Sequence, residues 1–385
     1  MHNPQREGTM PLALFEKHPV LGEKLPHISL ADLPTPVERL GALGARVGVE
    51  RLYVKRDDLT GPVYGGNKPR KLEFLLAEAL RTGKSHVLTF GCAGSNHALA
   101  TAIYSRQAGL KSISMLMDQP NARYVRQNLL ASHHFGAELH LCNVGLESRL
   151  RWLKIHWSTG CQVVRHTVAD GKRPMLIPPG GTSITGVVGY VNAAFELARQ
   201  VAAGQMPEPD LVYVASGTMG TAAGLILGLP AAGLKSHVVA VEVVGRTDTC
   251  RRRMASLVNR TAAYLHSLDD TFPAVDLHDS HVDIRTGYLG DGYACFTKEG
   301  MEAVSLMMKL GGIGLEGTYT GKTLAALVGD VRGGAVKDRT LLFWNTVNSR
   351  DLSEFALAVD YHDLPHPFHR YFEEDVQPLD HGGFR

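Results

Sequence analysis

Lys68 stands in the segment Gly65-Gly66-Asn67-Lys68-Pro69-Arg70-Lys71-Leu72-Glu73-Phe74, a glycine turn that runs into an apolar-periodic stretch. A chain-held amine beside glycines that admit close approach of another molecule has what imine formation with a bound carbonyl requires. Leu72, Leu75, Leu76, Ala79 and Leu80 recur at helical spacing and predict a helix over 70–81. Pro69 biases Lys68 away from the α region and itself suits the first helical position. The ordinary role of a lysine ahead of a helix is solvation. The segment therefore gains weight only from its companions.

Three other segments have matching placements. Gly91-Cys92-Ala93-Gly94-Ser95-Asn96-His97 lies between an apolar run and a helical pattern, where open α/β sheets bind ligands. Helix capping by Ser95 or Asn96 is the plain alternative. Ser216-Gly217-Thr218-Met219-Gly220-Thr221 follows a second apolar run and opens a small-residue helix, so its backbone N–H groups form a nest suited to one phosphate. Neither the Walker spacing nor the dinucleotide glycine spacing is present. Tyr319-Thr320-Gly321-Lys322 opens another helix. An imine-forming amine, a phosphate nest and small polar residues at several strand ends together point to pyridoxal 5'-phosphate.

The elements that must position these groups alternate strand and helix, which predicts α/β architecture. Strands are expected over 52–55, 87–90, 112–117, 138–142, 211–215, 238–244 and 341–344. Helices are expected over 70–81, 96–108, 124–135, 183–202, 221–229, 251–266, 298–310 and 321–332. Runs such as Val238-Val239-Ala240-Val241 suit strands covered on both faces. Residues 61–66 and 178–181 are candidate crossings between domains. The stretch 247–292 is the hardest to read, and the tail from Tyr361 is expected to be ordered only if it packs on the body or on a partner.

Composition narrows the classes. The 385 residues suffice for two domains, and a net charge of +2 gives no electrostatic support for a nucleic-acid or membrane-surface role. No apolar run is long enough to span a bilayer, and Met1 to Gly8 is polar, so a cytoplasmic protein is expected. The five cysteines lack CxxC spacing, and His362, His366, His369 and His381 share no helix, so no metal site is expected.

Taken in order, these motifs resemble those of the fold type II pyridoxal-phosphate enzymes, in the group of D-cysteine desulfhydrase and 1-aminocyclopropane-1-carboxylate deaminase. Leu33-Pro34-Thr35-Pro36 and Tyr53-Val54-Lys55-Arg56-Asp57-Asp58 are similar to the family's opening. The resemblance implies two open, twisted, mostly parallel sheets flanked by helices, as in tryptophan synthase beta chains. The cofactor would lie between a large domain (1–69 and 187–385) and a small one (70–186). It also implies a homodimer acting on a small amino acid.

Residue by residue, the resemblance implies that Lys68 holds the cofactor and moves protons at Cα. Ser95 would be the catalytic hydroxyl and Asn96 the partner of the cofactor's phenolic oxygen. Gly217, Thr218, Met219, Gly220 and Thr221 would hold the phosphate. Tyr288 and Tyr319 would line the substrate pocket, with Tyr293 the rival of Tyr288. Thr320 and Thr346 match the desulfhydrase type, because deaminases carry glutamate and leucine there. The expected reaction is thus α,β-elimination, with D-cysteine giving pyruvate, ammonia and hydrogen sulfide. The alternatives are 1-aminocyclopropane-1-carboxylate deamination, elimination from a larger or sulfonated amino acid, and a non-catalytic descendant that only binds the cofactor. Val347-Asn348 replaces the family's glycine pair, which bears on substrate choice.

Overall fold

The computed structural model describes residues 11–142, 148–245 and 247–380. Among the described residues, ten strands form two sheets. The larger has the order β1-β2-β10-β7-β8-β9, built from β1 (Val37–Arg39), β2 (Leu52–Lys55), β7 (Leu211–Ser216), β8 (His237–Glu242), β9 (Asp283–Arg285) and β10 (Leu341–Trp344). Only the β1–β2 pair is antiparallel. The smaller sheet is wholly parallel, with the order β5-β4-β3-β6, from β3 (His86–Cys92), β4 (Lys111–Met117), β5 (Glu138–Leu141) and β6 (Met175–Ile177).

Helices cover both sheets. The first three are α1 (Ala13–Lys17), α2 (Pro19–Lys24) and α3 (Gly41–Val47). Next come α4 (Lys68–Arg81), α5 (Asn96–Gln107), α6 (Arg123–His134), α7 (Ser148–Asp170), α8 (Ile184–Ala202) and α9 (Gly220–Ala231). The chain continues through α10 (Thr247–Leu268), α11 (Lys298–Gly311), α12 (Thr320–Arg332), α13 (Ser353–Leu357) and α14 (Arg370–Glu373). The apolar strand runs explain this layering: Val238, Val239, Ala240 and Val241 are all buried because β8 has helices on both faces.

Three short strands escape a periodicity reading. β1, β6 and β9 have three residues each, too few to show alternation. The long helix α7 also goes unread, because Leu153, Trp157, Val164 and Val168 stay exposed on it and blur its polar face. The tail packs on the body: Phe368 and Tyr371 are buried against Val125 and Leu129 of α6. His381 and Met1 to Gly8 lie outside the described residues.

One buried ionic network ties α4 to the larger sheet. Arg70 donates to both Asp57 oxygens at 2.7 and 3.1 Å and to both Glu196 oxygens at 2.9 Å. Lys55 donates to Glu196 at 2.6 Å, while Tyr190 and Trp344 each donate to Asp57 at 2.7 Å. Burial acts against the Glu196 charge, but Arg70 and Lys55 override it and hold the carboxyl below its ordinary range. Every charge here has several partners, the condition under which buried ions are tolerated.

Candidate active site

Lys68 opens α4, one residue earlier than the proline bias predicts, so Pro69 sits within the first turn rather than at its start. The entry is set by backbone contacts. Gly66 has φ +83°, and a side chain there would bring its Cβ within 2.7 Å of the Thr346 carbonyl oxygen. The Asn67 N–H donates to that same oxygen at 3.1 Å. Asn348 accepts from the Gly65 N–H at 2.6 Å and from the Arg350 N–H at 3.1 Å. The Val347-Asn348 departure is therefore part of the clamp on the lysine turn.

Burial pulls the Lys68 amine down to a pKa of about 8. One turn further along the same helix face, Lys71 is buried and held well below its ordinary range, first by burial and then by Lys68. Its amine donates to the Gly180 carbonyl at 3.2 Å. His97 is buried with both ring nitrogens unpartnered, and burial, then Lys68 and Lys71, depress its basicity strongly. Three basic groups thus share one region without a carboxylate among their electrostatic partners.

The segment between β7 and α9 closes this region. Met219 adopts a left-handed conformation at φ +70°, and no side chain caps α9. Thr182 donates to Thr218 at 2.8 Å, and Asn67 donates to Thr221 at 2.9 Å. A Cβ added to Gly220 would lie 3.0 Å from the Lys71 amine. An uncapped helix start and a buried, under-partnered amine therefore face the same small space. That donor set fits a phosphate ester, which would take up the first-turn N–H groups and the lysine together. The motif contains Lys71, but the sequence assigns it no role. Its i+3 spacing from Lys68 is the signal that could have found it.

Ser95 caps α5, accepting from the Ala98 N–H at 3.2 Å. Asn96 begins the helix, and its side-chain oxygen accepts from Asn128 at 3.0 Å. Asn96 also lines a cleft with Tyr64, Tyr124, Glu316, Val347, Asn348 and Arg350. Tyr319 meets Tyr293, their hydroxyls 2.5 Å apart, and Tyr124 reaches the Thr318 hydroxyl at 3.2 Å. Tyr288 is placed elsewhere: its hydroxyl abuts Gly329 of α12, among apolar residues packed on the larger sheet. The partner of Tyr319 is Tyr293. The family resemblance favours Tyr288, but the loop that carries Tyr293 is held beside the left-handed Ala294 by Gln377, which accepts from the Phe296 N–H at 2.7 Å and donates to the Ala294 carbonyl at 3.1 Å.

Glu316 goes unread in the sequence. Its carboxylate accepts from the N–H groups of Thr318, Tyr319 and Thr320, each with a bond of 2.7 to 2.9 Å. Burial raises its pKa, and these donors oppose that rise. Thr320 is wholly buried with its hydroxyl 3.1 Å from the same carboxylate. Burial also pushes the nearby Cys92 thiol up to about 12, so it stays protonated. Among the described residues, His362 pairs with Asp360 and His369 with the Leu364 carbonyl, and the tail histidines form no ligand cluster.

A family profile described as "Pyridoxal-phosphate dependent enzyme" matches residues 28–346. The chain belongs to that family. Like its relatives, it is an enzyme of pyridoxal phosphate, of the D-cysteine desulfhydrase and 1-aminocyclopropane-1-carboxylate deaminase type. It is 34% identical over 312 residues to D-cysteine desulfhydrase of Salmonella choleraesuis (strain SC-B67), covering 79% of this chain and 88% of that one. A Pyrococcus abyssi (strain GE5 / Orsay) protein, provisionally named 1-aminocyclopropane-1-carboxylate deaminase, is 31% identical over 375 residues, 95% of this chain and 100% of that one. Among solved structures, an ACC deaminase homologue superposes with a TM-score of 0.73 at 28% identity, covering 91% of this chain and 99% of the other. A threonine deaminase from Solanum lycopersicum, at 16% identity and TM-score 0.55 over 94% and 97% of the two chains, shares the fold. No helix among the described residues of this pyridoxal-phosphate enzyme is long and apolar enough to cross a membrane.

Proposed function

We propose that this enzyme catalyses α,β-elimination from a small β-substituted amino acid, with D-cysteine the favoured substrate. D-cysteine and water would give pyruvate, ammonia and hydrogen sulfide. The observation that carries the reading is the Lys68 amine, buried, without a carboxylate partner and lowered to a pKa of about 8. At neutral pH about a tenth of such an amine is unprotonated and able to react.

Bound pyridoxal phosphate supplies an electron sink for the pair released at the substrate's Cα. Lys68 Nζ would hold the cofactor and carry the Cα proton. Lys71, with the backbone of Gly217, Thr218, Met219, Gly220 and Thr221, would hold the phosphate. Ser95 Oγ would orient the substrate carboxylate, at the cost of its bond to Ala98, and Asn96 would bond the cofactor's phenolic oxygen. The Tyr293–Tyr319 pair would hand a proton to the leaving sulfur, since burial keeps both phenols protonated. Thr320, a hydroxyl where deaminases resemble one another in carrying glutamate, supports elimination. The larger domain (1–69 and 187–385), the smaller one (70–186) and a homodimer belong to the same proposal.

The deaminase reading is favoured by the relatives named for it. One experiment separates the two: cofactor-loaded protein is given D-cysteine, L-cysteine or 1-aminocyclopropane-1-carboxylate. Sulfide and pyruvate from the D-isomer support elimination. Ammonia and 2-oxobutanoate from the cyclopropane substrate alone would replace it with deamination.

A further inference from the structure

At the end of β3 opposite the candidate active site, two histidines and a carboxylate converge with no role in the chemistry above. His86 begins β3, while His166 and Asp170 lie at i and i+4 in the last turns of α7. One ligand atom from each lies within 4.8 Å of the others, and both histidines are buried. His86 Nδ1 is 2.9 Å from the Asp170 carboxylate and 3.1 Å from the Ser85 hydroxyl. The two imidazole rings are 4.7 Å apart.

We infer that His86, His166 and Asp170 form a binding site for a borderline divalent cation such as zinc. Two imidazoles and one carboxylate are a donor set that zinc accepts, with a solvent molecule completing four-coordination. Bonds of roughly 2.0–2.1 Å bring tetrahedral donors to about 3.4 Å from one another. The present spread closes by side-chain rotation, because Asp170 is exposed and the residues at i and i+4 already share one helix face.

A second observation supports the site independently. His166 Nε2 is 3.0 Å from Glu138 Oε2, and Glu138 is itself held by His140 at 2.7 Å and Arg165 at 2.7 Å. A carboxylate on one ring nitrogen fixes the tautomer and leaves the other nitrogen's lone pair for an ion, the arrangement that supports metal-bound histidines. Without an ion, the same groups are only a His–Asp pair at the foot of a strand. Six strand steps of about 3.3 Å separate His86 from Cys92, so an ion here is about 20 Å from the chemistry and fastens α7 to the sheet.

The test is calorimetric titration of cofactor-loaded enzyme with zinc, repeated on three variants. The wild type should bind one ion in this site. Asp170→Ala and His166→Ala should each weaken it at least about tenfold, and Glu138→Gln should weaken it about tenfold through His166. Asp170 is exposed, so its variant answers the question even if His166→Ala fails to fold. The cofactor absorbance of all variants should be unchanged. Absence of zinc binding, or binding that both ligand variants leave intact, as an ion on exposed Cys161 or the tail histidines would be, overturns the site.

Discussion

Helix α4 carries two kinds of buried cation within its first turn. Arg70 has four bonds to two carboxylates, and every group it touches is itself partnered. Lys68 and Lys71, on either side of it, have no carboxylate among their electrostatic partners in the described residues. Burial alone does not separate them, since Arg70 and Lys71 are both at most 1% exposed. What differs is whether the fold supplies the counter-charge. The Arg70 region is complete in the polypeptide, whereas the Lys68–Lys71 region has its counter-charge left to the bound group that the proposed function places there.

Lys68→Ala puts this contrast under the greatest strain. It should lower turnover by about 10³-fold or more and remove the absorbance of the cofactor imine, with thermal stability of the cofactor-free protein kept or raised. A cofactor spectrum unchanged from wild type would remove the lysine from its role. Glu196→Ala should do the reverse, costing about 3–5 kcal/mol in denaturant unfolding because Arg70 and Lys55 lose their shared partner. Lys71→Met should weaken cofactor binding by about 1.5–3 kcal/mol, read by dialysis and absorbance, without destabilising the fold. An unaffected affinity would assign the phosphate elsewhere.

The two kinds of cation should also respond differently to pH. Lys68 falls from 10.5 to about 8 on folding, so the folded protein binds fewer protons than the unfolded chain between those values. Stability of the cofactor-free protein should therefore rise as pH climbs from about 8 to 10.5, with the burial penalty fully present below 8. Lys68→Met should flatten that part of the curve, and an equal slope in both proteins would count against it. The smallest effect expected is local: Tyr293→Phe should lower kcat, while Tyr288→Phe should leave it within about twofold. The reverse result would restore Tyr288 to the site.

Much of the site is legible in the order of the amino acids. The Ser95-Asn96 helix start and the Met219 loop each stand where an apolar run meets a helical pattern, the Lys68 turn where two glycines meet one, and periodicity finds such junctions well. The unread parts rest on distant partners. Lys71 matters because Gly180 and Gly220 close over it, and Glu316 because three amides of its own loop turn back onto it. Tyr293, rather than Tyr288, meets Tyr319 on a loop that a residue more than eighty positions later bonds. β9 has one buried residue, Ile284, and no pattern to read.

Gln377 fastens together two parts of the molecule that lie far apart in the chain. Its N–H bonds the Asn121 carbonyl beside the smaller sheet at 3.0 Å, while its side chain grips Ala294 and Phe296 on the tyrosine loop. A substitution that shortens Gln377 would therefore loosen two places at once: the loop that presents the Tyr293 hydroxyl to Tyr319, and the seam that holds that loop to the smaller sheet.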